Sequence, residues 1–263
     1  MVNDLKKKII ELRKLWRCLG EKNYTTLAGT MSFFFILSGL PLLFLVSMIL
    51  SRFTYTLDLD AAPVYIPPEI INIVNYMQNF DRFSAYSIFV IVAALYSGSH
   101  IFFQLIKSGE LIYGQKKIVR RKIFTRILAL LSVVVFLAII FSLMIILSIS
   151  DVWLLDIFGS YISIIIKYLM IAIVPFILLL LINKVAVPVP IKLKQTIPGA
   201  AFTLLFWLVS SFIYSVYINF FSNLSAIYGA LAFIIVAFLW VYLLMNGLII
   251  GIIINHKYFM KKC

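Results

Sequence analysis

Long apolar segments alternate with short polar ones along this chain, and the last apolar segment is the longest. It runs from Tyr228 to His256 and contains no Asp, Glu, Lys or Arg before Lys257. A hydrocarbon core about 30 Å thick needs about 20 apolar residues in a helix, so this segment predicts a tilted transmembrane helix. Within residues 27–256 the whole pattern predicts six membrane spans, at about residues 27–50, 85–106, 127–149, 161–182, 198–221 and 227–254.

Two amphipathic segments lie outside these spans. In residues 1–26, apolar side chains recur at helical spacing between lysines and arginines, which predicts a cytoplasmic helix on the membrane surface. A solvated charged tail is the alternative. After Pro67 and Pro68 a second apolar stripe, at about 15 residues, is too short to cross and predicts an interfacial helix in the first outer loop. The predicted fold class is all-α, a polytopic membrane bundle of six transmembrane helices with these two surface helices.

The composition excludes a water-soluble globule. Hydrophobic residues make up 63% of the chain and the mean hydropathy is +1.09. A soluble domain has about 45–50% apolar residues. The chain is therefore expected to be an integral membrane protein with no room for a separate soluble domain.

The distribution of basic residues predicts the orientation. Of the 23 lysines and arginines, 20 lie in the N-terminal segment, the second and fourth loops and the tail 257–263. Basic residues stay on the cytoplasmic side, so both termini of this multi-pass protein are expected in the cytoplasm. The net charge of +13 then reflects topology, and its simplest further use is attraction to anionic lipid rather than to nucleic acid. The predicted contacts for anionic headgroups are Lys107, Arg120, Arg121 and Lys122.

Two of the spans carry a polar face. These faces consist of Ser97, His100 and Gln104 on the second span, and Ser210, Tyr214 and Tyr217 on the fifth. Ionisable and polar groups inside a membrane commonly mark a functional site. In that interpretation the six residues line a substrate path. The same residue types also bridge neighbouring helices structurally, which is the alternative.

Prolines and glycines predict bends and close packing. Pro41 and Pro175 lie inside the first and fourth spans, where each removes a backbone donor and predicts a kink or a break. In the last span Gly247, Gly251 and Asn255 share one face, and small residues let helices approach closely in lipid. That face is predicted to pack against a neighbouring helix and also offers a surface for a homo-oligomer. Alternatively the glycines are incidental, because Gly is common in membrane helices. The six spans divide into two halves of three, and the first span of each half contains one of these prolines. This arrangement also fits the inverted repeats of some transporters.

The usual enzymatic motifs are absent from the sequence. It contains no Gly-rich phosphate loop, no Gly-x-Ser-x-Gly and no His-Glu-x-x-His. His100 and His256 are far apart, and the predicted spans hold no carboxylate for two-metal chemistry. We therefore expect no enzymatic activity, no metal and no cofactor. Basic residues on the cytoplasmic side, polar helix faces and bent helices are features that favour binding of an apolar molecule with a charged head.

A series of short motifs resembles the YihY/BrkB family over nearly the whole chain. In order, they are Leu27-Ala28, Gly39-Leu40-Pro41-Leu42-Leu43, Ser97-Gly98-Ser99-His100, Leu111-Ile112-Tyr113, Pro198-Gly199-Ala200, Tyr214, Tyr228-Gly229-Ala230, Trp240-Val241-Tyr242, Gly251 and Asn255. The family usually has Ala-Glu after this glycine, whereas Ile252 and Ile253 stand here, so no role of that glutamate carries over. The resemblance implies a bacterial inner-membrane protein with six helices. Some members are linked to virulence or to lipid and envelope transport, and the family name "ribonuclease BN" looks like a misassignment.

These observations favour a transporter or flippase of a lipid or a lipid-linked envelope precursor, with anionic membrane lipids as partners. Two alternatives stay open. One is a small-solute exporter or channel, and the other is a non-transporting scaffold of an envelope complex.

Overall fold

The computed structural model describes residues 19–54, 85–114, 122–189, 191–221 and 225–260, and the regular elements within them are helices. The all-helical fold class is confirmed for this part of the chain. The predicted interfacial helix and most of the predicted N-terminal helix lie outside the described residues. The elements are α1 (Tyr24–Thr54), α2 (Ala85–Tyr113), α3 (Lys122–Ala186), a 3₁₀ turn (Leu193–Thr196), α4 (Ile197–Phe221) and α5 (Ser225–Met260).

Several of these helices have the length and composition of membrane spans. Within the part of the chain whose side chains are described, the candidates are Ile88–Tyr113, Ile123–Ser142, Leu193–Ile218 and Ile235–Tyr258. The outer surface of α4 is apolar too, and it exposes Leu205, Leu208, Val209, Phe212 and Ile213. These positions recur at helical spacing, as expected of a face that contacts lipid. The protein is thus an integral membrane protein.

The third and fourth predicted spans lie on one continuous helix. We expected a short loop around Asp151 and Asp156, but α3 runs through this segment without interruption. At 1.5 Å per residue a straight helix of its 65 residues would measure about 97 Å, about three times the hydrocarbon thickness. No proline interrupts the helix before Pro175, and two acidic residues do not by themselves end a helix. The loop predicted between these two spans is therefore wrong.

Neither of the predicted proline sites breaks its helix. Pro41 lies inside α1 and Pro175 inside α3, and both helices continue on either side. A proline inside a helix removes one hydrogen bond of the backbone ladder, and the turns on either side can remain intact. The sequence predicted a kink or a break at both positions, and the structure shows that neither helix is broken.

The chain forms two compact units that do not follow the order of the sequence. The first unit contains Met1–Ile36, Phe103–Lys122 and Pro175–Cys263, and the second contains Leu37–Phe102 and Ile123–Val174. In the first unit Ile106, Leu179 and Ile249 are almost fully buried and belong to its apolar core. The helices of this unit also approach closely, because a Cβ at Gly109 of α2 would collide with the backbone carbonyl of Ala186.

Candidate functional site

His100, on the predicted polar face of α2, lies beside a guanidinium group within the second unit. Its Nε2 atom is 3.4 Å from Nη1 of Arg126, near the start of α3. The ring of Tyr96, one turn earlier, packs edge-on against the imidazole with centroids 4.9 Å apart. Since an arginine stays protonated at any physiological pH, this corner of α2 and α3 carries a permanent positive charge. A guanidinium group forms charge-assisted hydrogen bonds with carboxylates and phosphates.

Close packing around Gly98 positions this face of α2. A Cβ at Gly98 would lie 3.2 Å from Leu42 of α1 and 3.3 Å from Val133 of α3. The buried hydroxyl of Ser38 donates a 2.6 Å hydrogen bond to the backbone carbonyl of Ser97, which ties α1 to α2. The Ser97 hydroxyl in turn donates to Ala94 O at 3.2 Å, within its own helix. Ser97 thus contributes to helix packing as well as to the polar face.

The polar face of α4 forms part of the interface with α5. Thr203 and Trp207 lie on this face, and the Trp207 indole N–H donates to Leu244 O at 2.8 Å. The Thr203 hydroxyl lies 2.8 Å from Gly199 O and 3.3 Å from Gly247 O. Bridging of this kind is what polar side chains commonly do between membrane helices.

The three predicted path residues of α4 differ in exposure. Ser210 is buried, and Tyr214 stacks on Trp240 of α5 with ring centroids 4.9 Å apart and an interplanar angle of 19°. Tyr217, in contrast, is 40% exposed. Ser210 and Tyr214 therefore lie in or beside the contact between α4 and α5, and Tyr217 lies on the surface.

The glycine face of α5 packs against α4 of the same chain. A Cβ at Gly247 would meet the ring of Phe206, and a Cβ at Gly251 would meet Thr203 Oγ1 and the backbone of Gly199. Both glycines are buried. Within one chain this face is covered by α4, and the homo-oligomer through these glycines stays a prediction.

Asn255 connects three helices of the first unit. Its Oδ1 accepts from the backbone N–H of Gly199 at 2.7 Å, and its Nδ2 donates to Asn183 Oδ1 at 2.9 Å. Asn183, near the end of α3, also donates to Leu179 O at 2.9 Å, and both asparagines are buried. Sequence reasoning missed Asn183. The only signal was a single amide at the end of the apolar run 176–182.

The basic rim is described only in part. Lys107 forms an ion pair with Glu110, at 2.6 Å between Nζ and Oε2. Arg120 and Arg121 lie outside the described residues, and Lys122 begins α3 with a side chain that is not described. The intrahelical partner of Lys107 therefore competes with any anionic headgroup that this lysine contacts.

Two buried aromatic residues near the ends of α2 and α5 carry polar atoms with no hydrogen-bond partner among the described residues. These atoms are Tyr113 Oη and His256 Nδ1. The two rings pack edge-on with centroids 4.8 Å apart. The sequence placed His256 at the end of the last span but did not associate it with Tyr113, because 143 positions separate them.

The predicted path residues are divided between the two units. Ser97 and His100 belong to the second unit, whereas Gln104, Ser210, Tyr214 and Tyr217 belong to the first. Gln104 is half-buried on α2. Within the described residues, no group of three or more His, Cys, Asp or Glu side chains could hold a metal ion.

Comparisons with known proteins yield one family and one partial relative. A family model described as "Virulence factor BrkB" matches residues 15–261. The chain is also similar to the "Putative ribonuclease-like protein YfkH" of Bacillus subtilis (strain 168), with 37% identity over 79 aligned residues. The aligned segment covers 29% of this chain and 28% of that protein. The match thus spans little more than a quarter of the relative's length. No solved structure matches this chain.

Proposed function

Because the chain belongs to the virulence factor BrkB family and is an integral membrane protein, we propose that it moves a lipid or a lipid-linked envelope precursor across the membrane. The proposed location is the bacterial inner membrane, with both termini in the cytoplasm, and the proposed role is that of a transporter or flippase. The headgroup would pass along the polar face of α2, and the acyl chains would stay in the bilayer.

The contact between His100 and Arg126 carries this proposal. His100 lies inside a helical segment that is long and apolar enough to cross a membrane, and Arg126 lies in the first turn of another, next to the basic loop. Ionisable groups in such segments are energetically costly, and they are found along substrate and ion pathways. A guanidinium group recognises phosphate oxygens in a bidentate manner, so a phosphate headgroup fits this corner chemically.

The contacts of α4 with α5 make its polar residues less important for the proposed path than those of α2. Thr203 and Trp207 donate to α5, so part of this polar face serves helix packing. The proposed path therefore depends first on His100, together with its neighbour Arg126, and then on Ser97 and Gln104 of the same helix face. Ser210, Tyr214 and Tyr217 stay in the proposal as secondary contacts.

Reconstitution into liposomes tests the proposal. Purified protein is placed in vesicles that contain a headgroup-labelled phospholipid, and the movement of the label between leaflets is followed. We expect movement well above that of protein-free vesicles, and slower movement for the His100→Ala/Gln104→Ala double variant. Lys194→Gln removes an exposed basic residue of the 3₁₀ turn and serves as the control that keeps the wild-type rate.

Other outcomes would point to the alternatives. Equal rates for the wild type and the double variant would exclude this route. Ion conductance without lipid movement would favour a channel. The absence of both, together with a partner recovered by crosslinking, would favour a scaffold.

A further inference from the structure

Near the ends of α2 and α5 lie buried polar atoms that no described residue satisfies. Tyr113 is 3% exposed and His256 is 5% exposed, yet the hydroxyl of Tyr113 and Nδ1 of His256 have no hydrogen-bond partner among the described residues. Burying a polar group without a partner is unfavourable, so such groups in a native protein call for an explanation. A bound molecule with matching groups would supply one.

Lys22 adds a positive charge to this location. A tight turn sets its position, in which Asn23 has a φ of 47° and its backbone N–H donates to Gly20 O at 3.2 Å. The Lys22 Nζ atom lies 3.7 Å from the point that a Cβ of Gly114 would occupy, directly after Tyr113. Tyr113, the residue before Gly114, in turn packs its ring against that of His256.

Glu110 adds an acceptor on the same side of α2 as Tyr113. Residues three apart on a helix are neighbours, about 5–6 Å apart at Cβ. One carboxylate oxygen of Glu110 is bound by Lys107, while the other, Oε1, is buried and has no hydrogen-bond partner among the described residues. One oxygen of this carboxylate thus lacks a donor among the described residues, one helical turn before Tyr113 on α2.

We propose that Lys22, Glu110, Tyr113 and His256 form a binding site for a headgroup that carries both a phosphate and a primary amine, as phosphatidylethanolamine does. The phosphate oxygens accept from the Lys22 ammonium and the Tyr113 hydroxyl, and from His256 Nδ1 in the tautomer that protonates this atom. The primary amine donates to Glu110 Oε1.

Simpler ligands leave part of the site unsatisfied. A phosphate without an amine would meet the negative charge of Glu110 and leave its Oε1 atom without a donor. A simple amine would be repelled by Lys22. A choline headgroup carries a positive charge but has no N–H to donate to Glu110, so the site is expected to prefer ethanolamine over choline.

This proposal is independent of the transport proposal. The four residues belong to the first unit, whereas His100 and Arg126 belong to the second. Lipid binding at equilibrium requires no movement of lipid between leaflets. The binding experiment can therefore fail while transport is observed, and transport can fail while binding is observed.

Native mass spectrometry of the full-length protein in detergent tests the site. The protein is titrated with phosphatidylethanolamine, phosphatidylglycerol and phosphatidylcholine that carry identical acyl chains. We expect ethanolamine lipid to bind about tenfold more tightly than the other two, as one extra hydrogen bond to a charged group predicts. Competition with soluble O-phosphoethanolamine then tests whether the ligand is the free headgroup or a membrane lipid. Competition shows that the headgroup alone is recognised, and selectivity without competition assigns the site to membrane lipid, so either result supports the site.

Two variants separate the two halves of the proposed ligand. Glu110→Gln is expected to abolish the preference for ethanolamine over choline. Lys22→Gln is expected to weaken all three phospholipids to a similar extent, because each has a phosphate. Tyr113→Phe removes only the hydroxyl and is expected to weaken binding by about three- to tenfold. The matched controls are Tyr258→Phe and Lys184→Gln, which alter exposed residues of α5 and α3.

Three results would overturn the proposal. They are equal binding of the three lipids by the wild type, a preference for phosphatidylglycerol, and an unchanged ethanolamine preference in Glu110→Gln. Elution volume and thermal midpoint show whether each variant is folded. If Glu110→Gln does not fold, the lipid series on the wild type and the Lys22→Gln variant still decide the matter.

Discussion

The side-chain amide of Asn255 donates to Asn183 Oδ1 at 2.9 Å, and its carbonyl oxygen accepts from the backbone N–H of Gly199 at 2.7 Å. One buried residue of α5 thereby holds both the end of α3 and the first turn of α4. The early N–H groups of a helix have no partner within the helix. Asn255 satisfies one of these groups at a point where α4 and α5 are too close for a larger residue at position 199.

Asn255→Ala is expected to destabilise the first unit. The substitution leaves the Gly199 N–H without its acceptor and Asn183 Oδ1 without its donor, at a cost of about 1–3 kcal/mol. Unfolding in detergent, followed by circular dichroism, measures the loss. Asn246→Ala is the matched control, because Asn246 is buried and donates to Tyr242 O within its own helix. A loss for Asn246→Ala as large as that for Asn255→Ala would contradict the bridging role.

Alanine substitutions at the glycines of α5 are expected to differ in severity. In Gly251→Ala the new methyl group meets the backbone of Gly199, so α4 and α5 must move apart. Overpacking of this kind costs about 1–3 kcal/mol. Gly247→Ala meets the ring of Phe206, which can adjust, so its loss of stability should be smaller.

The glycine substitutions have a control in α1. Gly39→Ala has open space around its new methyl group, because no heavy atom of the described residues, apart from the surrounding backbone of α1, lies within 4 Å of a Cβ there. The thermal midpoint of this variant should match or slightly exceed that of the wild type, since Ala favours a helix over Gly by about 1 kcal/mol. An equal loss of stability in Gly39→Ala and Gly251→Ala would contradict the close packing of α5 on α4.

Ser38→Ala is expected to weaken the contact between α1 and α2 in the second unit. The variant loses the hydrogen bond from the Ser38 hydroxyl to Ser97 O, and bonds between membrane helices are worth about 0.6 kcal/mol on average. Ser32→Ala is the control, because the Ser32 hydroxyl is buried but donates to Ala28 O within α1. A small fall in thermal midpoint is expected for Ser38→Ala alone. Equal midpoints for the two variants would show that the contact adds nothing.

His100 and Arg126 are expected to act as one unit in lipid movement. His100→Ala and Arg126→Gln should each slow movement by about tenfold, since each removes a group that holds the phosphate with its partner. The double variant should be no slower than the slower single variant, because residues that share a ligand are not additive. Rates in liposomes provide the measurement, and Lys194→Gln is again the control. Fully additive losses would show that the two residues act separately.

The two native cysteines provide a test of orientation that needs no substitution. Cys18 and Cys263 lie in the two segments that the distribution of basic residues places in the cytoplasm. In intact cells neither should react with a membrane-impermeant maleimide, and both should react after the membrane is opened. Labelling of either cysteine in intact cells would reverse or invalidate the predicted topology.

Long-range contacts explain why part of the candidate site was not predictable. The helical spacing of Ser97, His100 and Gln104 places them on one face of α2 from local geometry alone. The spacing gives no information about Arg126, which reaches His100 across 26 positions. It also gives no information about Tyr113 and His256, whose rings meet only because α2 and α5 end side by side in the first unit.

The sequence by itself determined that this protein is helical and resides in a membrane, because apolar runs longer than about 20 residues satisfy their backbone in lipid only as helices. It also determined which residues share a helix face, since that follows from 3.6 residues per turn. Only the tertiary structure decided that the glycines of α5 pack on α4, that Asn255 bonds to Asn183, and that α3 continues through the predicted loop. The physical reason is that such choices depend on which distant surfaces fit each other, and an apolar run of residues is compatible with many partners.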